Sequence, residues 1–270
     1  MRHVISLFAM ALATATMAAA PSAVDPALTA VIASNQRTDT FVARDAARHP
    51  AEELTFFGVK SDANVVELWP GGGYWTEILA PYLAASGHYT AALPPTKNGG
   101  EDSSTVVQWR ARIAPQAARF GTIKETTLGS GHFDIAPPAS ADLIVTFRNL
   151  HNWMGGGYAA EALAACFRAL KPGGVLGIED HRGSNAKPQD PLAKSGYVRQ
   201  DYAINLVKQA GFEFVGSSEV DANPKDTKDW PSGVWTLPPT LTLGEKDRAK
   251  YVAIGEADNF VLKFRKPKHS

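Results

Sequence analysis

The stretch Asn64 to Tyr74, NVVELWPGGGY, limits the fold of this chain more than any other. Val65, Val66 and Leu68 make a short apolar run, the pattern of a strand buried on both faces of a parallel sheet. Glu67 sits at the strand's end, and Pro70, which lacks an N–H, stops the ladder. Gly71, Gly72 and Gly73 then permit positive φ and let a ligand come against bare main chain. A helix expected from Tyr74 turns its free N–H groups toward the same spot. The triplet has two readings: a tight strand-to-helix turn, or a cradle for a carboxylate or phosphate. Glu67 beside it is placed to accept hydrogen bonds from an amine or hydroxyls.

The rest of the chain repeats the strand–helix alternation. Apolar runs predict strands at His88–Leu93, Thr122–Leu128, Ala141–Phe147, Val175–Ile178, Phe212–Val220 and Asn259–Phe264. Helical periodicity predicts helices over Tyr74–Ala85, Thr105–Phe120, the stretch holding Cys166, and Tyr197–Ala210. The pattern implies an α/β protein with an open, doubly wound sheet. It should be mostly parallel, with an antiparallel strand near one edge and helices on both faces. Residues 24–57 read as a helical segment, opened by Asp25-Pro26 and broken at Pro50. Its cluster of Arg44, Asp45, Arg48 and His49 is either a self-paired, solvated face or an anion site reaching over the glycine turn. Residues 221–258, rich in Trp and Pro, are either a lid or a packed surface excursion. A short helix there is expected from the capping-box spacing of Thr242 and Glu245.

A net charge of zero gives no general attraction to nucleic acid or to an anionic membrane. Arg2 and His3 precede the apolar run Val4 to Ala20, the layout of a secretory signal peptide over residues 1–20. Export to a bacterial periplasm is the expectation, with an uncleaved tether at the cytoplasmic face as the alternative. Stable membrane insertion is not expected. The single cysteine, Cys166, lies on an apolar helix face and reads as a core residue.

Three stations give the chain its resemblance to a known family. They are V-V-E-L-W-P-G-G-G, A-D-L-I-V-T-F-R-N-L-H-N-W and F-R-A-L-K-P-G-G-V-L-G-I-E-D-H-R. Over roughly Phe57 to Lys266 the order of parts resembles the class I S-adenosylmethionine-dependent methyltransferases. More narrowly, it is similar to a group of exported bacterial predicted methyltransferases carrying P-G-G-G and R-N-x-H-N-W. The resemblance implies a Rossmann-like seven-stranded methyltransferase fold over 21–270, with S-adenosyl-L-methionine as cofactor and a small-molecule oxygen or nitrogen nucleophile as acceptor. It implies cofactor contacts from Glu67, Trp69, Pro70, Gly71, Gly72, Gly73, Tyr74 and Asn149, with Glu67 near the methionine amino group.

The segment L-H-N-W is similar to the L-H-D-W of plant-type small-molecule O-methyltransferases, so His151 is the candidate base. Its other reading is a loop histidine that fixes the turn. Asn149 and His181 complete the catalytic candidates. Trp153, Arg182, Arg44 and Arg48 are the acceptor-side candidates, with core burial as the other reading for Trp153. Asp180 and His181 lack a third ligand at fixed spacing, so no metal site is expected. Two departures favour a rival, a non-catalytic periplasmic small-ligand-binding protein that retains the fold. Trp69 replaces the family's first glycine, and the second strand ends Ala92-Leu93-Pro94 without the acid that binds ribose.

Overall fold

The structure, a computed structural model, describes residues 23–96 and 100–269. The run read as an export signal lies outside them. Seven strands form one sheet: β1 Asn64–Leu68, β2 His88–Leu93, β3 Ile123–Thr127, β4 Ala141–Phe147, β5 Leu170–His181, β6 Glu213–Ser218 and β7 Asn259–Arg265. Their order is β3-β2-β1-β4-β5-β7-β6. β1 lies parallel between β2 and β4, and β3 and β5 extend the parallel run. β7 alone runs against its neighbours, β5 and β6. The Rossmann-like sheet is the one expected, with its antiparallel strand one place in from the edge.

The helices are α1 Pro26–Ile32, α2 Asp39–Val42, α3 Asp45–Arg48, α4 Pro50–Phe57, α5 Thr76–Leu83, α6 Ser104–Ile113, α7 Ala117–Phe120, α8 Leu150–Gly155, α9 Ala159–Ala169, α10 Gln200–Gln209 and α11 Arg248–Ile254. Strand alternation assigns them to two layers. In β1, Val65 packs with Leu28, Leu54 and Ile78 of α1, α4 and α5. Val66 and Leu68 face the layer of Trp153, Leu163 and Val207 from α8, α9 and α10. Cys166 is buried in that second layer.

Several elements differ from expectation for local reasons. The chain from Phe41 to Phe57 is three short helices, because His49 turns left-handed at φ +36° before Pro50 restarts the helix. α5 starts at Thr76 because residues 73–75 first close the glycine turn, with the Gly73 N–H donating to the Pro70 carbonyl. The histidine segment is a helix, α8, where a loop was expected. Residues 221–258 form a packed excursion with a small core of Val234, Leu237 and Tyr251 beside Tyr197. Its helix starts at Arg248 without a side-chain cap, so the capping box is not used. No helix among the described residues is long and apolar enough to cross a membrane.

Candidate functional site

β1 and β4 are neighbours at the point where the sheet order reverses, the place where open α/β sheets form a crevice. Both strands run into a left-handed residue that is not glycine, Trp69 at φ +54° and Arg148 at φ +62°. Such backbone is strained and persists where its surroundings fix it. The fixing groups are visible. The Asn149 amide donates to the Leu68 and Trp69 carbonyls at 3.1 and 3.2 Å, tying the end of β4 to the end of β1. The Trp69 indole N–H donates to the Leu128 carbonyl at 2.8 Å.

The glycine turn follows. Gly71 and Gly73 take φ of +58° and +99°. A Cβ on Gly71 would meet nothing within 4 Å, whereas one on Gly73 would come within 3.2 Å of Trp109. Gly71 therefore presents bare main chain to open space, and Gly73 packs against a wall. The space is a slot of about 300 Å³ lined by Trp69, Pro70, Gly71, Leu93, Pro94, Ser103, Thr105, Val106, Trp109 and Asn149.

Four expected cofactor contacts are not in the slot's lining: Gly72, which faces Phe41, Gly73, and the two that lie farther off, Glu67 and Tyr74. Glu67 is fully buried on the α5 side of β1, where its carboxylate accepts from the Tyr89 hydroxyl and, at 3.3 Å, from Thr76. Side-chain alternation turns it into the core, away from the slot. Burial raises its pKa to about 7, against the lowering effect of those two hydroxyls. Its influence on the slot is indirect: Thr76 Oγ1 also accepts from the Trp109 indole at 3.0 Å. Tyr74 is buried too, and its hydroxyl donates to Asp45 at 2.6 Å, tying the turn to α3.

A second cavity, about 260 Å³, lies on the other side of the α8 start. Its walls include Arg44, Arg48, Arg148, His151, His181, Trp235, Pro238 and Pro239. His151 is anchored at both ends of its own residue. Its backbone N–H donates to Asp180 Oδ2 at 2.8 Å, and its ring Nδ1 lies 2.8 Å from Asp180 Oδ1. Burial alone would raise the Asp180 pKa, but His151 and these hydrogen bonds outweigh it and hold the carboxyl below its ordinary value. Asp180 is thus an ionised, fully buried orienter, and His151 keeps Nε2 for the cavity. His181 bonds Asn259 through Nδ1 at 2.8 Å, and burial pushes its pKa down to about 3.

Arg44 and Arg48, read as either a solvated face or an anion site, are gathered here with Arg148 around one carboxylate. Glu256 accepts from Arg44 through both oxygens at 2.7 Å and from Arg148 at 2.7 Å. Burial would raise the Glu256 pKa, but these guanidiniums pull it below its ordinary value. Beneath Arg148 lie three buried carboxyls, Glu53, Glu179 and Asp221. Burial raises all three, Glu179 to about 8.

Two acceptor-side expectations are corrected. Trp153 is fully buried in the α8–α10 layer. Arg182 bonds Glu219 and the Asn259 carbonyl and lines neither cavity described here. Arg148, Trp235 and Glu256 were not singled out in the sequence, and Arg148 alone had a signal, its place next to Asn149 after a buried strand. The third potential metal ligand missing from local spacing is supplied by the fold, since ligand atoms of His151, Asp180 and His181 lie within 4.8 Å of one another. Both Asp180 oxygens already accept hydrogen bonds, Oδ1 also from the His181 N–H at 2.7 Å. That geometry suits a histidine–carboxylate pair.

No family model matches the chain, and no curated protein matches it in sequence. Solved structures do match it in shape. An S-adenosylmethionine-dependent methyltransferase from Aquifex aeolicus superposes with a TM-score of 0.55 at 15% identity, covering 83% of this chain and 92% of that one. The fold is that of the class I methyltransferases. The 1,6-didemethyltoxoflavin-N1-methyltransferase of Burkholderia thailandensis, solved with bound 1,6-didemethyltoxoflavin and S-adenosylhomocysteine, matches at a TM-score of 0.52 and 17% identity over 85% of this chain and 81% of that one. The [4+2]-cyclase SpnF matches at 0.56 and 15% identity, over 87% and 84%. One fold thus carries more than one chemistry, and function rests on the site.

Proposed function

We propose that this chain is an S-adenosyl-L-methionine-dependent methyltransferase acting on a small-molecule oxygen or nitrogen nucleophile. The observation that carries the reading is His151, pinned through Nδ1 to the buried, ionised Asp180 while lining a cavity beside the glycine-turn slot. Asn149 faces that slot, and Arg148 and His151 face the cavity, so consecutive residues of one helix start serve both.

The slot suits the cofactor. Gly71 offers open main chain, and Leu93, Pro94 and Trp109 offer apolar walls for a base. Ser103 and Thr105 supply hydroxyls near the end of β2, where the ribose-binding acid is absent. When bound, S-adenosylmethionine supplies an activated methyl group on a sulfonium. His151 Nε2 takes the proton from the acceptor's O–H or N–H, and Asp180 stabilises the imidazolium that forms. His181, neutral down to about pH 3, does not compete for that proton.

Titration calorimetry with S-adenosylmethionine and S-adenosylhomocysteine tests the reading. Binding of both is expected. No binding at millimolar ligand would remove the assignment in favour of the non-catalytic binding protein. The same proposal keeps the chain exported to the periplasm, supported by Arg2, His3 and the apolar run that follows. The mass of the mature protein, shorter by about 20 residues, is the check.

A further inference from the structure

We infer that the acceptor is a small carboxylic acid and that Arg48 binds its carboxylate. This deepens the methyltransferase reading and rests on it. Arg48 stands apart from its two neighbours. Arg44 makes two hydrogen bonds to Glu256 at 2.7 Å, and Arg148 makes one at 2.7 Å with its Nε 3.4 Å from Glu179, leaving only its Nη2 without a partner. Arg48 has its nearest carboxylate, again Glu256, at 4.0 Å, beyond a hydrogen bond. Its buried Nε has no hydrogen-bond partner. The guanidinium lies 4.4 Å over the Tyr74 ring, which fixes its plane without accepting from its in-plane N–H groups.

A buried donor without an acceptor is costly, and a guanidinium held in place with a free edge matches a carboxylate in two-pronged fashion. The charge count sets the ligand's valence. Three guanidiniums line the cavity and only two carboxyls, Glu256 and Glu179, reach them from behind, so the surplus is positive. Glu256 stays close enough to repel a dianion, which favours a carboxylate over a phosphate. Trp235 and Pro238 give an apolar side for the body of the molecule. A cavity of about 260 Å³ equals about nine water volumes of about 30 Å³, room for a compound of about ten heavy atoms.

The probe pair is 4-hydroxybenzoate and 4-hydroxybenzamide, alike in shape and different in charge, with phenyl phosphate as the dianion. By calorimetry on the wild-type protein, the acid is expected to bind about 10- to 100-fold more tightly than the amide. Arg48→Gln should erase that difference, and Arg48→Lys should keep part of it. S-adenosylhomocysteine should bind both variants within about twofold of wild type, a margin of about 0.4 kcal/mol. Equal binding of acid and amide to the wild type, binding of neither, or tighter binding of phenyl phosphate overturns the inference. So does an Arg48→Gln variant that loses S-adenosylhomocysteine affinity but still prefers the acid, because Arg48 would then serve the cofactor's own carboxylate. If the wild type ignores S-adenosylhomocysteine yet discriminates acid from amide through Arg48, the methyltransferase reading falls and the carboxylate site stands.

Discussion

The two cavities at the start of α8 are built by opposite means. The slot is made of main chain, apolar walls and a few uncharged polar side chains, most of them from the glycine turn and the run from the end of β2 into α6. The second cavity is made largely of charged and aromatic side chains from five distant regions. Arg44 and Glu256, in direct contact there, are 212 residues apart. A backbone site must declare itself locally, since it needs residues that lack a side chain or an N–H. A charged site needs no local signature, because each partner is supplied from wherever the chain returns.

This division of labour can be broken by experiment. The largest effect should come from His151→Gln, which removes the base and leaves the slot untouched. We expect kcat to fall about 10²- to 10⁴-fold with S-adenosylhomocysteine affinity unchanged. Equal losses in both would dissolve the distinction. Next is Gly73→Val, which forces a branched residue into φ +99° and against Trp109. Strain of about 1–3 kcal/mol should weaken cofactor binding roughly tenfold or more and lower Tm, while 4-hydroxybenzoate binding persists.

The third prediction uses the carboxyls under each cavity, Glu67 beneath the slot and Glu179 beneath Arg148. Their folded-state pKa values, about 7 and about 8, lie above the ordinary glutamate value of 4.5. Each holds its proton in the fold where the unfolded chain has lost it. Their stabilising contribution is therefore full below pH 4.5 and is lost as pH rises through 7 and 8. Tm should be lower at pH 8.5 than at pH 5.5. Glu67→Gln should flatten the fall between about pH 4.5 and 7, and Glu179→Gln the fall between about pH 4.5 and 8. The smallest effect is that of Glu256→Gln, which removes the carboxylate shared by Arg44 and Arg148. It should tighten 4-hydroxybenzoate binding a few-fold by calorimetry and leave the slot's affinity unchanged; weaker binding would mean Glu256 positions Arg44 more than it repels the acid.

The same contrast explains what was legible in the sequence. β2 and β4 are found at their expected bounds because a short apolar run between turn residues marks a buried strand locally. Trp69, Pro70, Gly71 and Asn149, all within the motifs read from the sequence, line the slot. Glu67 was misplaced because spacing alone does not reveal which face of β1 a residue takes. Trp153 was misplaced because α8 was read as a loop, and a helix turns that residue inward. His151 was found by its motif, but its partner Asp180 lies on β5, and only pairing of β4 with β5 brings them together. The 221–258 segment was read as a lid or a packed excursion, but nothing in it singled out Trp235 or Glu256 as the residues that meet the arginines.

Glu67 has one more consequence. Its carboxylate and the Trp109 indole share the Thr76 hydroxyl, so a proton that comes and goes near neutrality is wired to a tryptophan in the slot wall. The emission of that indole should change with the charge two bonds away in the network. A guest that moves Trp109 therefore also disturbs the hydroxyl on which a group it never meets depends.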